Sequence, residues 1–152
     1  MYHPQQRLAQ IEMRHAMEDE HFLFERNPQK LQICILNQGG DPIEDAALTI
    51  VMPNHNEIYV ADKLPPILRN GQYVERTRNE QSTYPVVTLK DDSVQVSVKL
   101  GDIVAGPPMM AFDSPLRLCI GSKLKGRRVG VRYALSGSNL RRPAKGQLKL
   151  IF

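Results

Sequence analysis

The 152-residue sequence lacks the features of several protein classes. It has only two cysteines, no apolar run near the roughly 20 residues that a membrane-spanning helix needs, and no apolar stretch or cleavage site of a secretory signal at its start. These absences argue against a disulfide-stapled secreted scaffold. They favour a cytoplasmic chain, unless it is part of a longer polypeptide, and the length predicts one domain.

The motifs of common enzyme classes are missing as well. The chain contains no GxxxxGK[ST], no GxGxxG and no HExxH, and "LSGSN" at Leu135 to Asn139 has the wrong spacing for a nucleophile elbow. The acidic corner from Asp41 to Asp45 offers oxygens to calcium but does not match an EF-hand, so a solvated corner is favoured. We therefore expect a non-catalytic protein without a metal or other cofactor.

The two cysteines leave two interpretations open. Cys34 and Cys119 each lie in an apolar, strand-like run, "LQICIL" and "PLRLCI", and neither belongs to a CxxC motif. Reduced cysteines that pack as small hydrophobic residues are favoured. A disulfide bridge between the two strands is the alternative.

The order of apolar runs predicts one helix followed by strands. A loose apolar stripe after Pro4 predicts a helix from residue 4 to about 20. Strand-like runs follow at "HFLFER", "LQICILN", "ALTIVMP", "YPVVTL", "VQVSVKLG", "PLRLCI", "RRVGVRYAL" and "QLKLIF". In the irregular stretch between the third and fourth of these runs, only a short strand at Glu57 to Ala61 is predicted. Short strands separated by Gly, Pro, Asp and Ser clusters are typical of an all-β sandwich.

Three of these segments carry a resemblance to a known group of modules. The runs "ICILNQGGDPIEDAALTIVMP", "VQVSVKLGDIVAGPP" and "GVRYALSGSN" resemble bacterial immunoglobulin-like or fibronectin-III-like sandwich modules, including the CARDB-type group. The resemblance covers about residues 31–152. It implies an immunoglobulin-like antiparallel β-sandwich at residues 21–152, preceded by the helical segment at residues 1–20. Such modules usually bind other proteins or space domains within larger proteins, and they offer no catalytic residues to carry over.

Charge is distributed unevenly along the chain. Through Leu89 there are eight Lys or Arg against twelve Asp or Glu, whereas from Lys90 onward there are twelve against four. The segment from Ser122 to Lys149 alone contains nine basic residues and no acidic one. Such asymmetry indicates an anionic partner.

Strand alternation sorts the basic residues into a face and two ends. In "RRVGVRYAL", Val129, Val131 and Tyr133 share the inward parity, which leaves the arginines outward. If the last three strands are neighbours in one sheet, they present one exposed basic face of Arg117, Arg128, Arg132 and Lys149. Two turns would frame it, one with Lys123, Lys125 and Arg127 and the other with Arg141, Arg142 and Lys145.

The basic residues admit two interpretations of equal weight, a binding surface or a solvated cover that discourages edge pairing. Because Tyr133 is predicted to face inward, base stacking is not expected, and nucleic-acid contact would be limited to the backbone without sequence readout. The leading hypothesis is a non-catalytic module that associates with another protein or subunit through its N-terminal helix. The alternative is a module that binds an anion or a nucleic-acid backbone on the basic face.

Overall fold

The computed structural model describes residues 15–26, 28–53 and 57–152. The described residues are mostly extended and form several antiparallel sheets, preceded by a short helical segment. The prediction of an all-β, sandwich-like fold is confirmed, whereas the immunoglobulin-like assignment stays a prediction. In these ranges no helix is both long and apolar enough to cross a membrane.

The secondary-structure elements follow the chain in a simple order. The helical segment α1 is α-helical over residues 15–21 and π-helical over Phe22–Arg26, and α2 is a single turn at Arg78–Gln81. The strands are β1 (Gln29–Leu31), β2 (Cys34–Ile35), β3 (Ile43–Pro53), β4 (Ile58–Val60), β5 (Ile67–Arg69), β6 (Gln72–Val74), β7 (Val86–Leu89), β8 (Ser93–Ile103), β9 (Met109–Met110), β10 (Leu116–Ile120), β11 (Arg128–Ser136) and β12 (Ala144–Ile151).

A five-stranded antiparallel sheet forms the larger layer. Its order is β12-β11-β3-β8-β7, so β12 and β7 are its two edges. A three-stranded sheet, β1-β10-β4, forms the second layer, and β2-β9 and β5-β6 are separate two-stranded pairs. The long strands arise where apolar and polar residues alternate without interruption, because that period matches the two faces of a sheet.

The core lies between the two layers. Leu48, Ile50 and Met52 of β3 are buried, in the parity that the alternation predicts. They cluster with buried residues of β8, β11 and β4, and with Leu116 and Leu118 of β10. Burial of alternate side chains from both sheets makes this a single apolar core, and no other layer within the described ranges covers the opposite, free face of the five-stranded sheet.

The helical segment covers the outer face of the three-stranded sheet. Residues 4–14 of the predicted helix lie outside the described residues, and the prediction of a strand at "HFLFER" is wrong because this stretch continues the helix. His21 is buried, with its Nδ1 2.7 Å from the carbonyl oxygen of Pro66 and its ring against Tyr73. This end of α1 thus packs on its own domain.

The single strand predicted at "LQICIL" is divided into β1 and β2. Between them the carboxamide of Gln32 accepts from the N–H of Phe112 (2.9 Å) and donates to its carbonyl oxygen (2.7 Å). The Gln32 side chain therefore takes the place of one backbone hydrogen-bonded pair. The chain passes from one sheet to another while the N–H and carbonyl oxygen of Phe112 keep their partners.

Candidate functional site

The basic residues of β11 and β12 lie on the free face of the five-stranded sheet. Val129 and Val131 are buried on the core side, while Arg128 and Arg132 are exposed on the other. Lys145 and Lys149 of β12 stand directly opposite Ala134 and Gly130, two outward positions of β11. We call Arg128, Arg132, Lys145 and Lys149 the basic face.

No two cations of the basic face are directly opposed across the ladder. Arg132 pairs with Gln147 and Arg128 with Ile151, whereas each lysine pairs with a small residue of β11. Because like charges directly opposite one another destabilise a sheet, this register spreads four positive charges over two strands with less repulsion than facing pairs would give.

The central part of the basic face has no acid within its strand pairs. Among the paired residues of β11, β12, β3 from Ala47 and β8 up to Lys99, there is no Asp or Glu, although Asp102 lies farther along β8 and Asp92 precedes that strand. Among the ion pairs of the described residues, none involves Arg128, Arg132, Lys145 or Lys149. The four cations are thus solvated and available to an external anion.

The prediction that Arg117 belongs to this face is wrong. Its strand, β10, is not a neighbour of β11 but the middle strand of the three-stranded sheet. Arg117 is only 8% exposed and lies beneath α1, where its guanidinium donates to the carbonyl oxygen of Phe24 and forms an ion pair with Glu25. The alternation placed it on the outer side of its strand correctly, but a helix covers that side.

The carboxylate of Glu25 connects α1 to β10 and to the loop before α2. It also forms an ion pair with Arg76 at 2.9 Å, and the Arg76 Nε–H donates to the carbonyl oxygen of Pro65. Partial burial acts to raise the pKa of Glu25, but the hydrogen bonds and charges of Arg117 and Arg76 outweigh it and lower this pKa below its ordinary value. Arg117 is therefore structural rather than a binding residue.

The two basic turns lie at opposite ends of β11, as predicted. Lys123, Lys125 and Arg127 precede the strand, Arg141 and Arg142 follow it, and all five are exposed. The prediction that Lys145 belongs to the second turn is wrong, because β12 begins at Ala144. The glycine at position 146, which resembles a turn signal, instead lies within the strand, so Lys145 joins the basic face.

The basic face is grooved rather than flat. One shallow groove is lined by Thr49, Val51, Arg132, Lys145 and Gln147, among others, and it opens above the small residues at positions 134 and 146. A second groove reaches Gly130 and has Asp92 in its wall. Arg132 lines both grooves, which places it at the centre of the surface.

Sequence reasoning missed an open strand edge beside the basic face. Among the described residues, β12 pairs with β11 on one side only. Below it, toward the core, an apolar cleft lined by Ile33, Leu36, Leu135 and Leu148, among others, separates β12 from β2. Leu36 and Leu148 remain 50% and 38% exposed. The position of β12 as the last strand of the chain, paired with the strand before it, was a signal for such an edge, but only the strand order identifies it.

The structure also locates the cysteines and acidic corner. Both thiols are free, in different sheets, and Cys34 is exposed rather than packed as the favoured interpretation expected. Within the described ranges, no group of three or more His, Cys, Asp or Glu side chains is placed to hold a metal ion. The corner from Asp41 to Asp45 is held instead by buried Asn37, whose side-chain amide donates to the Asp41 carbonyl oxygen at 2.9 Å.

Comparisons with protein-family models, with curated proteins and with solved structures found no match for this chain.

Proposed function

We propose that this domain is a non-catalytic binding module that associates with an acidic surface of another protein through its basic face. The observation that carries the proposal is the set of four exposed cations, Arg128, Arg132, Lys145 and Lys149, with no Asp or Glu among the residues of β3, β11 and β12 that pair with one another. A surface of one sign raises the rate at which an oppositely charged partner arrives and selects against basic partners.

The aromatic residues favour a protein partner over a nucleic acid. Single-strand binding combines cations with exposed aromatic rings on which bases stack. Tyr133 lies on the core side, where its ring covers Gly146 of the opposing strand. Tyr59 is 57% exposed but belongs to β4 in the other sheet. The face therefore offers charge without a stacking platform.

The proposal is tested by charge reversal with a matched control. Arg128→Glu combined with Arg132→Glu should weaken binding to poly-L-glutamate by at least about tenfold at low salt, because both anchoring charges become repulsive. The control is Arg69→Glu combined with Arg78→Glu, which changes the net charge equally at exposed positions on β5 and α2. Binding is measured by biolayer interferometry over a series of salt concentrations.

The outcomes separate the candidate functions. Selective loss in the β11 variant supports the basic face as the binding surface, whereas equal loss in both variants indicates net charge alone and contradicts it. A short DNA duplex is measured in parallel. Tighter binding to the duplex than to poly-L-glutamate at equal ionic strength would instead favour the nucleic-acid backbone as partner.

A further inference from the structure

Along the free edge of β12, every second residue directs its backbone N–H and C=O groups away from β11. The N–H of Phe152 donates to the carbonyl oxygen of Arg127 (3.4 Å), which extends the β11–β12 ladder by one pair. Hydrogen-bonded and non-hydrogen-bonded pairs alternate in an antiparallel ladder. The backbone groups of Lys145, Gln147 and Lys149 therefore point away from β11, toward the open edge, and are available to another strand.

The two sides of this edge differ in chemistry. On the outer side, Lys145 and Lys149 of the basic face flank Gln147. On the core side, Leu148 lines the apolar cleft next to Leu36 and Leu135, and the ring of Tyr133 lies over Gly146. A strand added to β12 would thus meet positive charge on one face and apolar surface on the other.

We infer that β12 accepts an extended segment of a partner protein as a further strand of the sheet, and that this segment alternates acidic and apolar residues. The inference rests on the proposed function, since the acids would contact the basic face. Residues directly opposite each other across a ladder share a face. The partner therefore places acids opposite Lys145 and Lys149, and apolar residues opposite Gly146 and Leu148, which gives the five-residue core acid-apolar-any-apolar-acid.

Charge complementarity selects this occupant over a second copy of the chain. If two copies of β12 paired in antiparallel fashion about Gln147, Lys145 of one would stand directly opposite Lys149 of the other. Like charges in that position destabilise a ladder, and lysines on an edge strand usually prevent self-pairing. An acidic strand converts the same two lysines from a repulsive to an attractive contact.

The first test compares three peptides, of which the first two have identical composition. A labelled peptide with the core Asp-Val-Thr-Leu-Asp, extended by serines, should bind the domain in a fluorescence anisotropy titration. The block core Asp-Asp-Thr-Val-Leu should bind at least about tenfold more weakly, because in every register one acid faces the apolar cleft and one apolar residue faces the basic face. A third core, Asp-Val-Pro-Leu-Asp, should lose about fivefold, because proline removes the N–H that faces Gln147.

The second test changes the protein's edge. Gln147→Pro removes an N–H that the β11 ladder does not use, and proline is tolerated on edge strands. It should weaken the first peptide by about fivefold, because one backbone hydrogen bond to the added strand is lost. The control Leu89→Pro makes the same change on β7, the opposite edge of the sheet. It should leave peptide binding unchanged.

The outcomes distinguish this inference from the proposed function. Equal binding of the block peptide, or wild-type peptide binding by a folded Gln147→Pro variant, overturns strand addition. If poly-L-glutamate binds and no peptide does, strand addition fails while the basic face stands. If neither binds, both fail. A dimer in sedimentation that Gln147→Pro dissociates identifies a second copy as the occupant and also overturns the inference. Should Gln147→Pro not fold, the proline-containing peptide decides the question on the wild-type protein.

Discussion

At the scale of single residues, Glu25 shows how one carboxylate fastens the helical segment to the sandwich. It neutralises Arg117 beneath α1 and contacts Arg76 from the loop before α2. The Nε of Arg117 is buried and has no hydrogen-bond partner in the part of the chain that the structure describes, so this guanidinium depends on its other contacts. Loss of the negative charge would leave two cations close together in a partly buried site.

We predict that Glu25→Gln lowers the free energy of unfolding by about 1–3 kcal/mol at neutral pH. Because the pKa of Glu25 is lowered in the folded state, its contribution is fully present above the ordinary glutamate pKa of about 4.3. The contribution is lost as the pH falls through the lower, folded-state pKa, so wild type and variant should converge in acid. Urea unfolding across this pH range measures the difference.

The control for Glu25 is Glu44→Gln, which removes an exposed carboxylate at the start of β3. Its stability should follow that of the wild type at every pH. A constant difference between Glu25→Gln and wild type down to the lowest accessible pH would show that the ion pairs do not account for the stabilisation.

At the scale of elements, the long strands were predictable and the joints between short ones were not. Alternation identified β3, β8 and β11 because each has a half-buried run of apolar residues. The β5–β6 hairpin was missed although Asn70 and Gly71, both at positive φ, form the two-residue turn that Asn-Gly favours. The turn α2 was missed although Thr77 and Glu80 form a capping box.

The composition of the basic face was only partly predictable for a related reason. Parity tells on which side of its own strand a residue lies, but not which strands are neighbours or what covers them. Arg128, Arg132 and Lys149 were placed by parity, whereas Arg117 was misplaced because β10 belongs to the other sheet. Strand order depends on contacts between distant residues, which local pattern does not record.

A prediction at this scale concerns the joint between β1 and β2. Gln32→Met keeps the length of the side chain but removes its amide, which leaves the N–H and carbonyl oxygen of Phe112 without their partners. We expect a loss of about 2–4 kcal/mol in the free energy of unfolding. Faster hydrogen exchange at the Phe112 amide should accompany it. Gln29→Met, at an exposed position of neighbouring β1, is the control and should have little effect. Unchanged exchange at Phe112 would contradict the role assigned to Gln32.

At the scale of the whole molecule, the arrangement of charge separates a surface for solubility from a surface for binding. Solubility is served by cations and anions interspersed over the surface, which limits repulsion within one molecule. Here the structure places Glu25 against buried Arg117, while Lys145 and Lys149 have no acid beside them on their sheet face. The unpaired cations repel one another at low ionic strength, and this repulsion lowers the stability of the folded state.

We therefore predict that Lys145→Gln combined with Lys149→Gln raises the melting temperature at low salt by about 1–2 °C. The reason is that both lysines face small residues, so little packing is lost when the charge is removed. The gain should vanish at about 1 M salt, where the screening length is about 3 Å. Arg69→Gln combined with Arg78→Gln removes the same charge at exposed positions of β5 and α2 and should give no salt-dependent gain. If both pairs behave alike, the basic face is not under repulsion, and its cations are a solvated cover. If only the β12 substitutions raise the melting temperature, the native lysines lower the stability of the fold. Such a cost is expected of a site that binds an acidic partner.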